Sequence, residues 1–156
     1  MEPTLTLLVG IPGSGKTTWA NKRCRKNQVV LSSDLIRKEL FNDENNQSNN
    51  KLVFKTLYAK AKTYLKNGTS VIIDATNATK ADRKSALDHF SDLKVPVTAI
   101  VFATPTEVCK IRDSKRQRTV GEDVINKFVQ IYEKPTLSEG FNKISYVKYT
   151  QKKHLN

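Results

Sequence analysis

Residues Gly10-Ile11-Pro12-Gly13-Ser14-Gly15-Lys16-Thr17 fill the pattern GxxxxGK followed by Ser or Thr without a mismatch. Residue types at this spacing handle phosphate. The glycines let successive backbone N–H groups turn inward around anionic oxygens, and the N-terminus of the helix behind them adds partial positive charge. The lysine reaches the β- and γ-phosphates of a nucleoside triphosphate, and the threonine hydroxyl ligates Mg²⁺. A chance match arises in roughly 0.5% of chains this long. Here the pattern also falls between an apolar strand and a helix, the context that gives it meaning. The implied nucleotide-binding residues are Gly10, Pro12, Gly13, Ser14, Gly15, Lys16, Thr17 and Thr18, with ATP or another NTP as ligand and Thr17 as metal ligand.

Three further groups fit phosphoryl transfer. Asp34 and Arg37 stand three apart at the start of a helix and share a face. The carboxylate could take the proton of an attacking hydroxyl, and the guanidinium could hold an anionic acceptor. A capping aspartate with a surface ion pair is the competing explanation, and the neighbouring P-loop favours function. Asp74 closes the apolar run Val71-Ile72-Ile73. An aspartate in that place reaches Mg²⁺ directly or through water, or serves only a polar turn; it is counted with Asp34 and Arg37 on the acceptor side. Arg112 and Arg116 lie one helical step apart, with Arg118 just beyond, and arginines carried by a lid can stabilise charge on a transferring phosphoryl group. They join the nucleotide-binding set. Lys16, Asp34 and Arg116 are the expected catalytic residues.

These residues need a scaffold that brings them to one edge. The apolar run at residues 4–9 ends at a glycine and reads as a strand buried on both faces. A helix is expected from Lys16 to Arg25, a strand at Gln28–Ser32 and a short helix at Asp34–Phe41 capped by Ser33 or Asp34. A polar loop spans 42–50. Phe54, Leu57, Tyr58, Ala61 and Leu65 set a helix over Lys51–Lys66, ended by Asn67-Gly68. A third strand at Ser70–Asp74 precedes a helix capped by Thr79 and Asp82 that runs to Phe90. A fourth strand at Pro96–Phe102 leads to Thr104-Pro105-Thr106-Glu107, read as a capping box with proline at the first helical position. That helix runs towards Lys115, another covers Glu122–Tyr132, and a last strand covers Ile144–Val147. Strands alternating with helices imply an α/β fold of P-loop NTPase type: a parallel sheet with helices on both faces and a small helical lid at about 110–125, all in one domain over 1–156. Ligands of such sheets sit at the carboxyl ends of the strands, where the glycine turn, Asp34 and Asp74 all fall. Trp19, Tyr58 and Tyr64 sit at helical positions and read as core.

Composition narrows the class. The chain has 156 residues, 38% of them hydrophobic, enough for a core without staples. Its formal net charge of +12 favours polyanions: nucleic acid, an anionic surface or phosphorylated substrates. Cys24 and Cys109 form no metal-ligand spacing and read as reduced thiols of a cytoplasmic protein. No signal peptide and no apolar run of membrane-spanning length is present, so no membrane partner is expected. His89 and His154 stand in no hydrolase or zinc pattern.

Taken in order, these segments resemble the polynucleotide 5′-hydroxyl kinases of phage and bacterial nucleic-acid repair. The resemblance rests on residues 10–17, Ser32-Ser33-Asp34-Leu35-Ile36-Arg37, Asp43-Glu44-Asn45-Asn46-Gln47-Ser48, Ile73-Asp74-Ala75-Thr76-Asn77, Glu107-Val108-Cys109 with the arginines behind it, and Glu139-Gly140-Phe141. It covers about residues 5 to 147. It implies transfer of the ATP γ-phosphate, with Mg²⁺, to 5′-OH ends of single-stranded or duplex DNA or RNA. It also implies Asp34 as general base, Arg37 on the acceptor's phosphate, and Arg112, Arg116 and Arg118 on the donor phosphates. The larger members carry phosphatase or ligase modules. This chain has no room for one, so end-healing partners are expected as separate proteins. Two other readings stay open: a kinase of a small metabolite or nucleotide, and a non-catalytic module that binds ATP or nucleic acid. A steep salt dependence of oligonucleotide affinity separates nucleic acid from metabolite.

Overall fold

In the computed structural model, residues 2–44, 46–117 and 119–150 are described. Strands β1 (Leu5–Val9), β2 (Gln28–Ser32), β3 (Ser70–Asp74), β4 (Val97–Phe102) and β5 (Lys143–Val147) form one sheet in the order β2-β3-β1-β4-β5. Every pairing is parallel, with Ser32 opposite Asp74, Val9 opposite Val101 and Phe102 opposite Val147. The carboxyl ends of the strands therefore line up at one edge.

Helices α1 (Lys16–Arg23), α2 (Ser33–Phe41), α3 (Asn50–Lys66), α4 (Lys80–Phe90), α5 (Thr106–Ser114) and α6 (Glu122–Ile131) make the crossovers. The period-two alternation of strand side chains splits the core in two. Leu5, Leu7 and Val9 of β1 join Val71 and Ile73 of β3 and the apolar faces of α3 and α4 in the larger cluster. Leu8 and Ile72 face the other way, against Ala20 of α1 and Phe102. A third cluster, Ile11, Cys109 and Ile125, ties the loop after β1 to α5 and α6. Tyr58 belongs to the first cluster and Trp19 borders the second, whereas Tyr64 stays exposed.

Helix starts depart from the expected residues at two places. The cap of α2 is Ser32, whose hydroxyl accepts from the Leu35 N–H at 3.4 Å, rather than Ser33 or Asp34. Ser32 still has the extended backbone of β2, which aims its side chain at the first turn. Thr104 does not cap α5: the cap position is Pro105, and the Thr104 hydroxyl donates instead to the Ser14 carbonyl at 2.8 Å. Thr79 caps α4 as expected, accepting from the Asp82 N–H at 3.1 Å. Helix α1 stops at Arg23, because the backbone of Cys24 is already extended.

Candidate active site

The loop between β1 and α1 is held open for phosphate by two left-handed glycines, Gly13 at φ 82° and Gly15 at φ 98°. Side chains strain such backbone. Space forbids one as well: a Cβ on Gly13 would lie 2.4 Å from the Cys109 carbonyl oxygen. A Cβ on Gly10 would lie 2.6 Å from Ser14 Oγ. Pro12 is half-buried in the loop, and Thr18, in the first turn of α1, is exposed. The α1 N-terminus faces the loop with no acidic residue in its first turn, so its partial positive charge is left for an anion.

Lys16 is the buried charge of the site. Its Nζ donates to the Gly10 carbonyl at 2.9 Å and the Ile11 carbonyl at 3.0 Å. Burial pushes its pKa down to about 8, the negative charges of Asp74 and Asp34 pull it back up, and the Arg116 cation lowers it further. Both carboxylates and Arg116 thus act on one point of the P-loop. Thr17 Oγ1 donates to Asp74 Oδ2 at 2.6 Å. Asp74, counted from sequence with the acceptor residues, thus pairs with the P-loop, because β3 lies directly beside β1. Burial raises its pKa, while the Thr17 hydrogen bond and Lys16 oppose that rise.

Asp34 and Arg37 meet, Nη1 to Oδ1, at 2.9 Å. The Arg37 side chain is 9% exposed and the Asp34 side chain 41%. Arg37 also donates from Nε and Nη2 to Asn50 Oδ1, at 3.3 and 3.0 Å, so α3 orients it. The arrangement offers a solvent-facing carboxylate to an incoming hydroxyl, with a guanidinium anchored behind it.

Arg112 stands over the P-loop: a Cβ on Gly15 would be 3.2 Å from its Nη1, and its guanidinium carbon lies 5.8 Å from the Tyr149 ring centre. Arg116 pairs with Asp113 at 3.7 Å. The Asp113 carboxylate accepts the N–H groups of Val120 and Gly121 at 3.0 and 2.9 Å, which closes the segment between α5 and α6. Arg118 lies outside the described residues.

Several supporting residues lie outside the expected set of site residues. Thr104 and Cys109 brace the P-loop from the α5 side. On the β3 side, Gly10 N–H donates to the Thr76 carbonyl at 3.0 Å and Asn77 Nδ2 donates to the Leu8 carbonyl at 2.7 Å. Arg83 is fully buried and ion-paired with Glu139 at 2.8 Å. A signal for it was present: Arg83, Ala86 and Phe90 recur at i, i+3 and i+7, the buried face of α4.

The residues present fit a nucleotide and its metal. Glycine-shaped backbone, a helix N-terminus and a buried ammonium form the anion cradle, and a hydroxyl beside a carboxylate is a hard-oxygen donor pair suited to Mg²⁺. Among the described residues there is no group of three His, Cys, Asp or Glu side chains able to hold a metal. Mg²⁺ would therefore take most ligands from phosphate and water, its usual habit. Among the same residues no helix is long and apolar enough to cross a membrane.

A parallel sheet with a phosphate cradle at its carboxyl edge, facing a carboxylate and arginines, defines a kinase-type P-loop domain. The chain belongs to the AAA domain family, whose model matches residues 5–135. Its relatives include polynucleotide kinases. It is 27% identical over 150 residues to the bifunctional polynucleotide phosphatase/kinase of Schizosaccharomyces pombe, covering 93% of this chain and 33% of that protein. The chain thus spans a third of that relative's length. A chain of the Pnkp1/Rnl/Hen1 RNA repair complex matches with TM-score 0.73 and 30% identity, over 83% of this chain and 43% of that one. Kti12 of Chaetomium thermophilum, solved with ADP-AlF3, matches with TM-score 0.74 over 96% of this chain and 91% of that one. At 18% identity, that is a likeness of fold.

Proposed function

We propose that this domain transfers the γ-phosphate of ATP to the 5′-hydroxyl ends of DNA or RNA. The observation that carries the proposal is the Asp34–Arg37 pair, set at the same sheet edge as Lys16 and Thr17. Mere nucleotide binding needs no solvent-facing carboxylate backed by an anchored guanidinium. The likeness to the polynucleotide phosphatase/kinase and to the RNA repair complex supports a nucleic-acid acceptor, and so does the net charge of +12.

In this mechanism Asp34 accepts a hydrogen bond from the 5′-hydroxyl and takes its proton as the oxygen attacks the γ-phosphorus, whose bond to the bridging oxygen breaks to release ADP. Arg37 holds the first phosphate of the acceptor strand and fixes the hydroxyl in line. Lys16 leaves its loop carbonyls for the β- and γ-oxygens, and Arg112, Arg116 and Arg118 absorb charge on the equatorial oxygens. Thr17 and Asp74 would hold Mg²⁺, which when bound neutralises charge between the β- and γ-phosphates. The chain's own contribution is positioning and electrostatics. Phosphatase and ligase activities would complete end healing.

The test is incubation with γ-labelled ATP, Mg²⁺ and a 5′-hydroxyl oligonucleotide, beside a 5′-phosphorylated control. Label on the hydroxyl end alone is expected. No label on any 5′-hydroxyl end moves the assignment to a small-metabolite kinase. Asp34→Ala should abolish transfer and leave ATP affinity near normal; retained transfer sinks the general-base role.

A further inference from the structure

We infer that Arg83 and Glu139 are positioning residues for the P-loop, acting through the turn that follows β3. Arg83 is 0% exposed, on the inner face of α4. Its guanidinium makes three bonds in two directions. Nε donates to Glu139 Oε1 at 2.8 Å and Nη2 to Glu139 Oε2 at 3.3 Å, a two-pronged pairing. Nη1 points the other way and donates to the Asn77 carbonyl at 2.8 Å. Glu139 is itself fixed, because Oε2 also accepts the Thr136 N–H at 2.8 Å.

Asn77 is the receiving end. It is 4% exposed and holds a left-handed backbone, φ 45°, which asparagine enters more readily than other non-glycine residues. Its placement in a buried turn is then determined by the bonds its polar groups make. Arg83 on the carbonyl and the Asn77 side chain on Leu8 supply that determination. Leu8 is the second-last residue of β1, and one residue earlier in the turn the Thr76 carbonyl takes the Gly10 N–H. At its other end the turn begins with Asp74, whose carboxylate receives the Thr17 hydroxyl. One turn thus sets both the departure of the P-loop from the sheet and the carboxylate across from it. The buried pair from α4 and the 3-10 turn at Leu137–Glu139 sets that turn.

A purely structural pair makes a different forecast. Replacing a buried ion pair by packed apolar residues commonly preserves stability, whereas removing one partner does not. The double variant Arg83→Met/Glu139→Leu therefore separates folding from positioning, since it keeps the packing and removes the bond to Asn77. The measurements are thermal midpoint and the affinity for a fluorescent ATP analogue with Mg²⁺. The inference rests on the nucleotide-binding reading of the P-loop and is independent of the acceptor. Expected is a midpoint within a few degrees of the parent protein and a dissociation constant raised about tenfold or more. Parent-like affinity overturns the inference and leaves the nucleotide reading intact. Failure of the parent protein itself to bind overturns both. If the double variant does not fold, Arg83→Lys, which keeps a cation for Glu139 but lacks the second prong that reaches Asn77, carries the same comparison with the same outcomes.

Discussion

Lys16 sets a pH limit at the scale of a single residue. Only its ammonium form attracts phosphate, and burial first of all has brought its pKa to about 8. Below that value the free protein already carries the proton. Above it, nucleotide binding must recover a proton from solution, so affinity falls by up to about tenfold per pH unit. Titrating an ATP analogue with Mg²⁺ from pH 6.5 to 9.5 should give a plateau and then a decline beginning near 8. A flat profile would refute the assignment of Lys16 as the phosphate-facing charge. Residues at this scale were legible where their chemistry is local in sequence: the P-loop is contiguous, and Asp34 and Arg37 lie within one helical turn. For Arg83 the helical period shows only its place on the buried face of α4, and its pairing was not legible because the carboxylate partner is 56 positions away.

At the scale of elements, the P-loop and α5 are built against each other. Gly13→Ala places a side chain at φ 82° and 2.4 Å from a backbone carbonyl oxygen. The left-handed backbone alone costs roughly 1–2 kcal/mol for an L-residue, and the clash adds to it. Urea unfolding should show destabilisation at least that large, with nucleotide affinity falling alongside. The 3-10 turn that holds Glu139 gives an acid limit. Burial raises the Glu139 pKa, but hydrogen bonds from Arg83 and from the Thr136 backbone outweigh it and leave the carboxyl below its ordinary 4.5. Its stabilising contribution is therefore complete above that value and lost as pH falls through the lower, folded-state one. Urea midpoints between pH 3 and 6 should show this acid loss in the parent protein and a weaker one in Glu139→Gln. Most strands and helices were legible within a residue or two from apolar period and caps. Thr104 was misread because local propensity favours a cap, while the folded chain supplies a better acceptor in Ser14, 90 residues earlier.

At the scale of the whole molecule, the net charge of +12 acts at long range. Lys51 and Lys55 are exposed one turn apart on α3, beginning next to the Asn50 that holds Arg37. On the proposed function, Lys51→Glu/Lys55→Glu should raise KM for a 5′-hydroxyl oligonucleotide several-fold while KM for ATP stays put. The salt dependence of oligonucleotide affinity should flatten by about 0.7 for each phosphate that the protein no longer neutralises. An unchanged oligonucleotide KM would remove α3 from the acceptor path. The sheet order was not legible from one sequence, since periodicity names strands without saying which lie side by side. The close approach of Gly13 to Cys109 has a mechanical consequence for the catalytic cycle. The contact resists any closer approach and the Thr104 hydroxyl on the Ser14 carbonyl resists withdrawal, so the start of α5 and the glycine loop move as one body.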